Sequence, residues 1–287
     1  AVELDVESDL KGVAFGNGIF VAAGSGDTVL RGSSPHNLEL VDLGGSTDWN
    51  GVDYVDGVFW LTGDNGQLLR SRDGESWETI TTGTDAALIG ITYGHDGYLV
   101  ISNSNVYVRS FDAINWSAQI AESNNPSRPA VAFRAVAYFS GRYYLCLNGV
   151  IQNSGTTELA ALSTTTSSTL AKFHALTLDD QTDHLVAVGG YSSYLGSYLY
   201  GVGGRGSSGL YRISGSSPSA LGSTYGLGYY VTVGAGGQIY RSTDGQAWQS
   251  GWEITKHTLK DILYANGVYV ASGNKGAVYT SPDGQWW

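Results

Sequence analysis

Two aspartates, Asp53 and Asp261, are the side chains of this sequence best suited to acid–base chemistry. The chain is built from repeats, and Asp261 occupies a first-strand position that is Gly or Ala in other repeats. Asp53 takes a neighbouring position that is mostly Ala or Thr elsewhere. Two carboxyl groups about 5 to 9.5 Å apart across a cleft are sufficient for glycoside hydrolysis. The alternative is that both are solvated groups lining a central channel, and we favour this second interpretation.

Other catalytic or metal chemistry finds less support. The sequence has no Ser, His and Asp set in a recognisable nucleophile context and no metal-ligand spacing. Asp179, Asp180 and Asp183 lie in a predicted hairpin turn, where a weak calcium site is possible but a plain acidic turn is favoured. Cys146 shares its position with alanines of other repeats, which predicts a small buried residue rather than a reactive thiol. No cofactor is predicted.

One position near the start of the first strands is unusually basic for a chain of net charge −11. If its side chains point to a channel mouth, they form a cationic ring suited to a carboxylate or sulfate group. If strand alternation turns them sideways, they are contacts between repeats instead. Four of them, Lys11, Arg134, His174 and Lys260, are predicted ligand-binding residues. From the first repeat to the last, the position reads Lys11, Asn50, Ile89, Arg134, His174, Gly222 and Lys260.

A tyrosine-rich segment, Gly189 to Gly209, is the most irregular stretch of the chain. Tyrosine rings give contact area at low entropic cost and stack on sugar rings, so the segment is predicted to be a recognition loop between a second and a third strand. It could instead be an extended hairpin that covers its own neighbours, or a subunit contact. Trp252 fits no repeat position and lies near His257. The binding residues predicted here are Tyr191, Tyr194, Tyr198, Tyr200, Arg205, Trp252 and His257.

These candidates are positioned by a repeat whose clearest copy is LLRSRDGESW, Leu68 to Trp77. Similar ten-residue motifs end at Trp116, Trp248 and Trp287. The spacings from Trp77 to Trp116 and from Trp248 to Trp287 are both 39 residues. A period of about 40 residues with several short strand signals is typical of a β-propeller blade. Pairs such as Asp56-Gly57 and Asp96-Gly97 predict tight hairpin turns between the strands.

The repeat predicts an all-β fold, a seven-bladed β-propeller of four-stranded antiparallel blades in one domain, 1–287. The segment AVELDVES at residues 1–8 alternates apolar and polar side chains like a strand, whereas the last repeat ends where its fourth strand should begin. We therefore predict that the N-terminal strand completes the last blade and closes the ring. The predicted blades are 10–41, 49–81, 88–119, 133–162, 173–219, 221–251 and 259–287.

The recurring aspartate motif predicts a tight turn between the third and fourth strands. Ser and Asp side chains can bond to backbone amides in the turn, Gly can take a positive φ, and Trp can pack over it. The motif resembles the Asp-box, or BNR, repeat of sialidases, of secreted and virion propellers, and of photosystem II assembly-factor propellers. The matching residues are Ser71, Asp73, Gly74 and Trp77; Ser110, Asp112 and Trp116, with Ala113 where Gly is usual; Ser242, Asp244, Gly245 and Trp248; and Ser281, Asp283, Gly284 and Trp287.

The resemblance implies a fold rather than an activity, because in these families the motif lies on the face away from the usual ligand site. Sialidase-like catalysis, as that family performs it, needs three arginines that converge on one carboxylate. Here the arginines occupy one repeat position at the end of the third strand and are spread around the ring. They are Arg31, Arg70, Arg109, Arg212 and Arg241.

The composition of the chain limits the classes of binding partner. A net charge of −11 disfavours nucleic acid and anionic membrane surfaces, and no apolar run approaches the roughly 18 residues that span a bilayer. We expect a non-catalytic binding or adhesion module that recognises a glycan or glycosylated surface, in an extracellular or virion-associated setting that the resemblance suggests. A protein partner or a homo-oligomer is possible. The alternatives are a carbohydrate-active hydrolase or lyase that uses the two aspartates, and a protein-assembly scaffold.

Overall fold

The structure is a computed structural model of the 287-residue chain. It is all-β, with seven separate antiparallel sheets among the described residues. Five sheets have four strands, and the sixth and seventh have three. In every sheet, strands adjacent in sequence are adjacent in space, as hairpin connections dictate. The structure describes residues 6–121, 132–147, 150–155, 159, 163–167, 171–179, 184–191, 197–203, 208–212, 219–249 and 253–287.

The strands follow the repeat closely in the first three sheets and depart from it later. The fourth strand of the fourth sheet lies beyond residue 162, where that repeat was predicted to end. The bounds are β1 Leu10–Gly16, β2 Ile19–Gly24, β3 Val29–Gly32 and β4 Glu39–Leu40; β5 Trp49–Val55, β6 Val58–Gly63, β7 Leu68–Ser71 and β8 Glu78–Ile80; β9 Leu88–Gly94, β10 Gly97–Ser102, β11 Val106–Ser110 and β12 Ser117–Ile120; β13 Phe133–Phe139, β14 Arg142–Leu147, β15 Val150–Ser154 and β16 Ser163–Ser167; β17 Ala171–Asp179, β18 His184–Tyr191, β19 Ser197–Gly203 and β20 Ser208–Arg212; β21 Ala220–Gly226, β22 Tyr229–Gly234 and β23 Ile239–Ser242; β24 Leu259–Ala265, β25 Val268–Gly273 and β26 Val278–Ser281.

The turns between first and second strands are mostly two residues long. Asp56 and Gly57 have φ values of 51° and 77°, as the type I′ hairpin turn requires. The third sheet differs from the prediction, because Gly94 pairs with Gly97 and the turn therefore consists of His95 and Asp96. A short 3₁₀ turn, Ala235–Gly237, lies between the second and third strands of the sixth sheet. No helix in the described part of the chain is long and apolar enough to cross a membrane.

The core is divided into clusters that each lie between two neighbouring sheets. One cluster joins Val21 of β2 with Trp49 of β5 and Phe59 of β6. The first strand of each sheet contacts the first strand of the next, and β24 of the last sheet contacts β1 of the first. The seven first strands are therefore innermost. Their packing is tight, since a Cβ at Gly12 would lie 2.8 Å from the Val52 nitrogen.

The aspartate motif forms the turn between the third and fourth strands. In the second sheet the Ser71 hydroxyl accepts a hydrogen bond from the Gly74 amide at 2.8 Å, and Asp73 Oδ1 accepts the amides of Glu75 and Ser76, both at 2.9 Å. Trp77 Nε1 donates to the Gly74 carbonyl at 3.1 Å. These amides hold the pKa of Asp73 below its usual range. The polar side chains of the motif therefore stabilise the turn in which they lie.

Ala113 is the one departure from glycine among the four motif turns, and it has a φ of 58°. The left-handed region costs a residue with a Cβ roughly 1–2 kcal/mol. Because Ala113 also packs partly against the core, we expect Ala113→Gly to raise the free energy of unfolding by about 0.5–1 kcal/mol, measured by urea denaturation. Gly74→Ala, at the matching position of the second sheet, should lower it. A loss of stability in Ala113→Gly would contradict the strain.

The arginines at the end of the third strands join neighbouring sheets. Arg31 Nε donates to the Asp73 carbonyl at 2.7 Å, and Arg70 Nη1 donates to the Ala113 carbonyl at 2.8 Å. Arg241 reaches the carbonyl of Asp283 in the same way at 3.4 Å. Arg212 was wrongly predicted to share this position, because it lies on β20, the fourth strand of its sheet.

Residues 6–9 run along the last sheet. The Gly276 amide donates to the Ser8 carbonyl at 2.7 Å, and Val6 packs with Val270 and Val278. Asp9 accepts the Lys275 amide at 3.1 Å. Residues 1–5, the main part of the predicted closing strand, lie outside the described residues.

Candidate functional site

Every innermost strand carries a β-bulge at the same position. In the first sheet Leu10 pairs with Gly24 and Gly12 pairs with Ala23, which leaves Lys11 as the extra residue. A bulge bends the strand and changes the direction of a side chain, and bulges are frequent beside binding sites. This register corrects the sequence prediction in one sheet, where Leu221 and not Gly222 takes the position. The bulge residues are Lys11, Asn50, Ile89, Arg134, His174, Leu221 and Lys260.

The bulge residues lie on the face of the second-to-third-strand turns, which we call the bulge face. Asn50 Nδ2 donates to Asp64 Oδ1, in the turn between β6 and β7, at 2.8 Å. On the opposite face, Asn17 of the β1–β2 turn donates from Nδ2 to the Arg72 carbonyl in the aspartate motif at 3.1 Å. The predicted ligand residues Lys11, Arg134, His174 and Lys260 therefore share one face, away from the aspartate motifs.

The predicted cationic ring is partly neutralised by neighbouring groups. Lys260 Nζ lies 3.1 Å from Asp9 Oδ2, and Lys11 Nζ donates to Asn50 Oδ1 at 3.2 Å. Burial raises the pKa of Asp9, but the Lys275 amide and the charges of Lys260 and Lys11 outweigh it and lower the pKa overall. Sequence reasoning missed Asp9 and Asp64 as partners, because they lie outside the first strands. A ligand anion would compete with Asp9 for Lys260.

Asp53 and Asp261 bind backbone amides of the following sheet. Ile91 N donates to Asp53 Oδ2 at 3.3 Å, and Val13 N donates to Asp261 Oδ2 at 2.9 Å. An innermost strand has a ladder partner on one side only, so its inward amides need other acceptors. Thr224 Oγ1 accepts the Tyr264 amide at 3.0 Å in the same manner. Both aspartates thus have a structural role as well as a candidate chemical one.

The same two carboxyl groups are hard to ionise. Burial raises the pKa of Asp53 to about 7 against the effect of the Ile91 amide, and the negative charge of Asp261 adds to the rise. Burial likewise raises the pKa of Asp261 to about 6, although the amides of Val13 and Ile262 oppose it. Each side chain keeps some accessible surface at the inner edge of its sheet. Each carboxyl can therefore hold a proton much closer to neutral pH than an ordinary aspartate does, and a general acid needs this property.

Two buried polar groups beside these acids lack a hydrogen-bond partner among the described residues. Trp60 Nε1 is one, and Trp60 lies directly across the strands from Asp53. Ser272 Oγ is the other, and Ser272 lies across from Asp261. Cross-strand neighbours project from the same face of a sheet. A bulky indole on the face that carries Asp53 is consistent with the poor solvation of that carboxyl.

The tyrosine-rich segment is not the long loop that the sequence predicted. Its residues supply the end of β18, all of β19 and the start of β20, so only residues 192–196 connect the second and third strands. The prediction failed because glycine and serine in SYLYGVGGRGSSG were interpreted as loop residues, and no aspartate motif marked the strands. Tyr191, Tyr198 and Tyr200 lie on strands, whereas Tyr194, Arg205 and Trp252 lie outside the described residues.

The remaining candidates are accounted for by their surroundings. His257 lies in the segment before β24, where its amide donates to Thr255 Oγ1 at 3.1 Å. Asp179 ends β17 and is buried, with Tyr230 OH at 3.5 Å, while Asp180 and Asp183 lie outside the described residues. No group of three metal-ligating side chains occurs in the described part of the chain. Cys146 is fully buried, as predicted, and burial raises the pKa of its thiol.

Comparison with known proteins identifies the family. No curated protein matches the sequence. The profile of the DUF6242 beta propeller domain matches residues 3–161, more than half of the chain. The chain belongs to this family. The sheets described above are therefore those of a β-propeller.

Solved structures share the fold along nearly the whole chain. YCF48 from Cyanidioschyzon merolae is 16% identical, with a TM-score of 0.74 and 96% of each chain covered. YCF48 bound to a D1 peptide has the same identity and TM-score and covers 97% of this chain and 95% of its own. Virginiamycin B lyase from Staphylococcus aureus is 13% identical, with a TM-score of 0.78 and 96% and 94% covered. At these identities the likeness shows the fold alone.

Proposed function

We propose that this propeller is a non-catalytic binding or adhesion module that recognises a glycan through its bulge face, in an extracellular or virion-associated setting. The observation that carries the proposal is the row of seven β-bulges, one in each sheet, whose side chains differ in charge and size. A structural repeat that holds non-equivalent side chains at equivalent places suits an asymmetric ligand. In this proposal Lys11, Arg134 and Lys260 bind a carboxylate or sulfate substituent of the glycan.

The proposal includes a ring of seven blades. In it, residues 1–5 add the fourth strand to the last sheet, next to β26, and residues 6–9 lead from that strand into β1. The contacts of Val6, Ser8 and Asp9 with the last sheet support this path.

A glycan array that includes sulfated and uronic-acid glycans tests the binding. We expect Arg134→Ala and Lys11→Ala each to weaken binding about tenfold or more, the loss of one good polar contact at about 1.4 kcal/mol. Arg72→Ala is the matched control, because Arg72 is exposed on the opposite face. Tyr194→Ala and Trp252→Ala are measured beside them, because both residues were predicted from the sequence to bind the ligand. Equal losses in Arg72→Ala, or no loss in any of the others, would refute the bulge face as the site.

Carbohydrate hydrolysis or elimination is the second candidate, and it is favoured by two neighbouring carboxyl groups, Asp53 and Asp261, whose pKa values are both raised. Release of reducing ends from the glycans of the array, abolished by Asp53→Ala or Asp261→Ala, would replace the binding proposal. Intact glycans after prolonged incubation with the wild-type protein would remove this candidate.

A protein-assembly scaffold is the third candidate. It is favoured only by the fold shared with YCF48, which is known in complex with a D1 peptide. A protein ligand that competes with no glycan, and whose binding needs the bulge face, would support it over the glycan proposal.

A further inference from the structure

The first strands of neighbouring sheets differ in how closely they pack. A Cβ placed on Gly222 of β21 would lie 2.8 Å from Asp261 Cα in the next sheet. A Cβ placed on Gly90 of β9, the corresponding glycine of the third sheet, would meet no atom of another strand within 4 Å among the described residues. A space therefore lies beside Gly90, between β9 and the neighbouring first strand β13, and we call it the Gly90 cleft.

The exposure of β13 agrees with this space. Val136 is partly exposed, whereas the residues at its position in four other sheets are buried. These counterparts are Val13, Val52, Ile91 and Ile262, and they are between 3% and 6% exposed. The fourth sheet thus presents a strand edge at the Gly90 cleft that most other sheets cover.

The contact between the last and first sheets shows which group fits such a place. Asp261 takes the position of Gly90 in the last sheet, and its Oδ2 accepts the Val13 amide of β1 at 2.9 Å. Val13 and Val136 both follow their bulge residue by two positions and have the same register with their second strand. Because hydrogen-bonded and non-hydrogen-bonded pairs alternate along a hairpin, both amides point away from that strand. A carboxylate in the Gly90 cleft therefore has the Val136 amide as a donor.

We propose that the Gly90 cleft binds a carboxylate group of the ligand, the uronic-acid carboxylate of an acidic glycan. The inference rests on the proposed function for its ligand, and it gives the acidic substituent a chemical class and a place. The ligand carboxylate takes, between the third and fourth sheets, the position that the Asp261 carboxylate fills between the last and first sheets.

The surroundings of the cleft suit a sugar acid. Thr92 lies two residues beyond Gly90 on β9, so its side chain projects to the same side of the strand, and its hydroxyl is a further donor for a carboxylate. Arg134, at the bulge of β13, lies two residues before Val136 and adds positive charge at this end of the strand. Ile89, at the bulge of β9, is partly exposed and offers apolar surface to a sugar ring.

Amide NMR of the isotope-labelled full chain, titrated with methyl β-glucuronide, tests the site. We expect a saturable downfield shift of the Val136 amide proton, because donation to a carboxylate deshields it. Methyl β-glucoside, which lacks the carboxylate, and sodium sulfate should not produce this shift. The Val52 amide is the internal control, because Gly12 packs directly against it.

Three substitutions of Gly90 test whether the cleft itself is occupied. Gly90→Asp and Gly90→Asn should each weaken glucuronide binding about tenfold or more, because the new side-chain oxygen takes the Val136 amide. Asparagine is uncharged, so a loss in both variants reports occupation of the cleft rather than repulsion. Gly90→Ala adds one methyl group and should change binding by less than about threefold. All three should fold, since Asp261, Ala135 and Ala175 hold this position in other sheets.

A Val136 amide that does not respond to methyl β-glucuronide in the wild-type protein would overturn the proposal. So would an equal response to sulfate, or undiminished glucuronide binding by Gly90→Asp. Glycan recognition can fail separately. If the glycan array bound nothing while the glucuronide still shifted the Val136 amide, the carboxylate site would stand without it. If array binding were weakened by Arg134→Ala but unchanged in Gly90→Asp, the bulge face would stand and the Gly90 cleft would be refuted.

Discussion

Replacing Asp53 by asparagine is expected to stabilise the protein at pH 8 by as much as about 4 kcal/mol. The ionised carboxyl is poorly solvated in the folded protein, which raises its pKa to about 7, whereas the unfolded chain ionises it near pH 4. A raised pKa means that stability is lost as the pH climbs from about 4 to 7. Asparagine keeps an oxygen for the Ile91 amide and carries no charge.

The gain should depend on pH. At pH 4.5 the wild-type carboxyl is protonated in the folded state, so the advantage of asparagine should shrink to about 1 kcal/mol. Chemical denaturation at both pH values measures it. Asp85→Asn is the matched control, because Asp85 is exposed in the segment before β9 and its removal should change stability by less than about 0.5 kcal/mol at either pH. A pH-independent effect of Asp53→Asn would show that the carboxyl is well solvated.

This result would also bear on function. A charge that costs stability at neutral pH is a common property of ligand-binding and catalytic positions. If Asp53→Asn gained stability and kept full glycan binding, the acid would serve only the amide of Ile91. If the gain came with loss of a cleavage activity, the second candidate function would be favoured.

Deleting residues 1–8 is expected to lower the melting temperature by roughly 5–10 °C. The deletion exposes the apolar surface that Val6 covers and leaves the Gly276 amide without its acceptor, a loss of about 3 kcal/mol or more. Each kcal/mol corresponds to about 2–4 °C in a chain of this size class. Differential scanning calorimetry measures the shift.

Two further measurements test whether the loss of stability is specific to the N-terminal segment. Glu7→Ala changes an exposed side chain within the same segment and should leave the melting temperature unchanged. The peptide AVELDVES, added to the truncated chain, should restore part of the loss because the segment binds noncovalently. An unchanged melting temperature after the deletion would contradict closure by the N-terminal strand.

Much of the fold could be predicted from the sequence because the same motif and turn signals recur in several repeats. The Asp56-Gly57 turn, the hydrogen bonds of the aspartate-motif turn and the burial of Cys146 were predicted correctly. The prediction from the sequence was wrong where a repeat lacks the motif. The fifth repeat lacks the motif, so β19 and β20 were mistaken for a loop and Arg212 was assigned to the wrong strand.

Only part of the candidate site could be predicted from the sequence. Periodicity identified Asp53 and Asp261 as departures from their repeat positions, and it assigned Lys11 and Lys260 to one shared position. It could not show that Lys260 is paired with Asp9, because the two are 251 residues apart.

By itself the sequence determined the repeating sheet, its turns and which residues break the pattern, since these depend on local backbone preferences and on spacing along the chain. Only the tertiary structure decided what those residues meet. The amide that each aspartate binds, the loss of solvation that raises the pKa values of Asp53 and Asp261, and the contact of β24 with β1 all arise between different sheets. Such contacts depend on how the sheets are placed against one another, which no local pattern encodes.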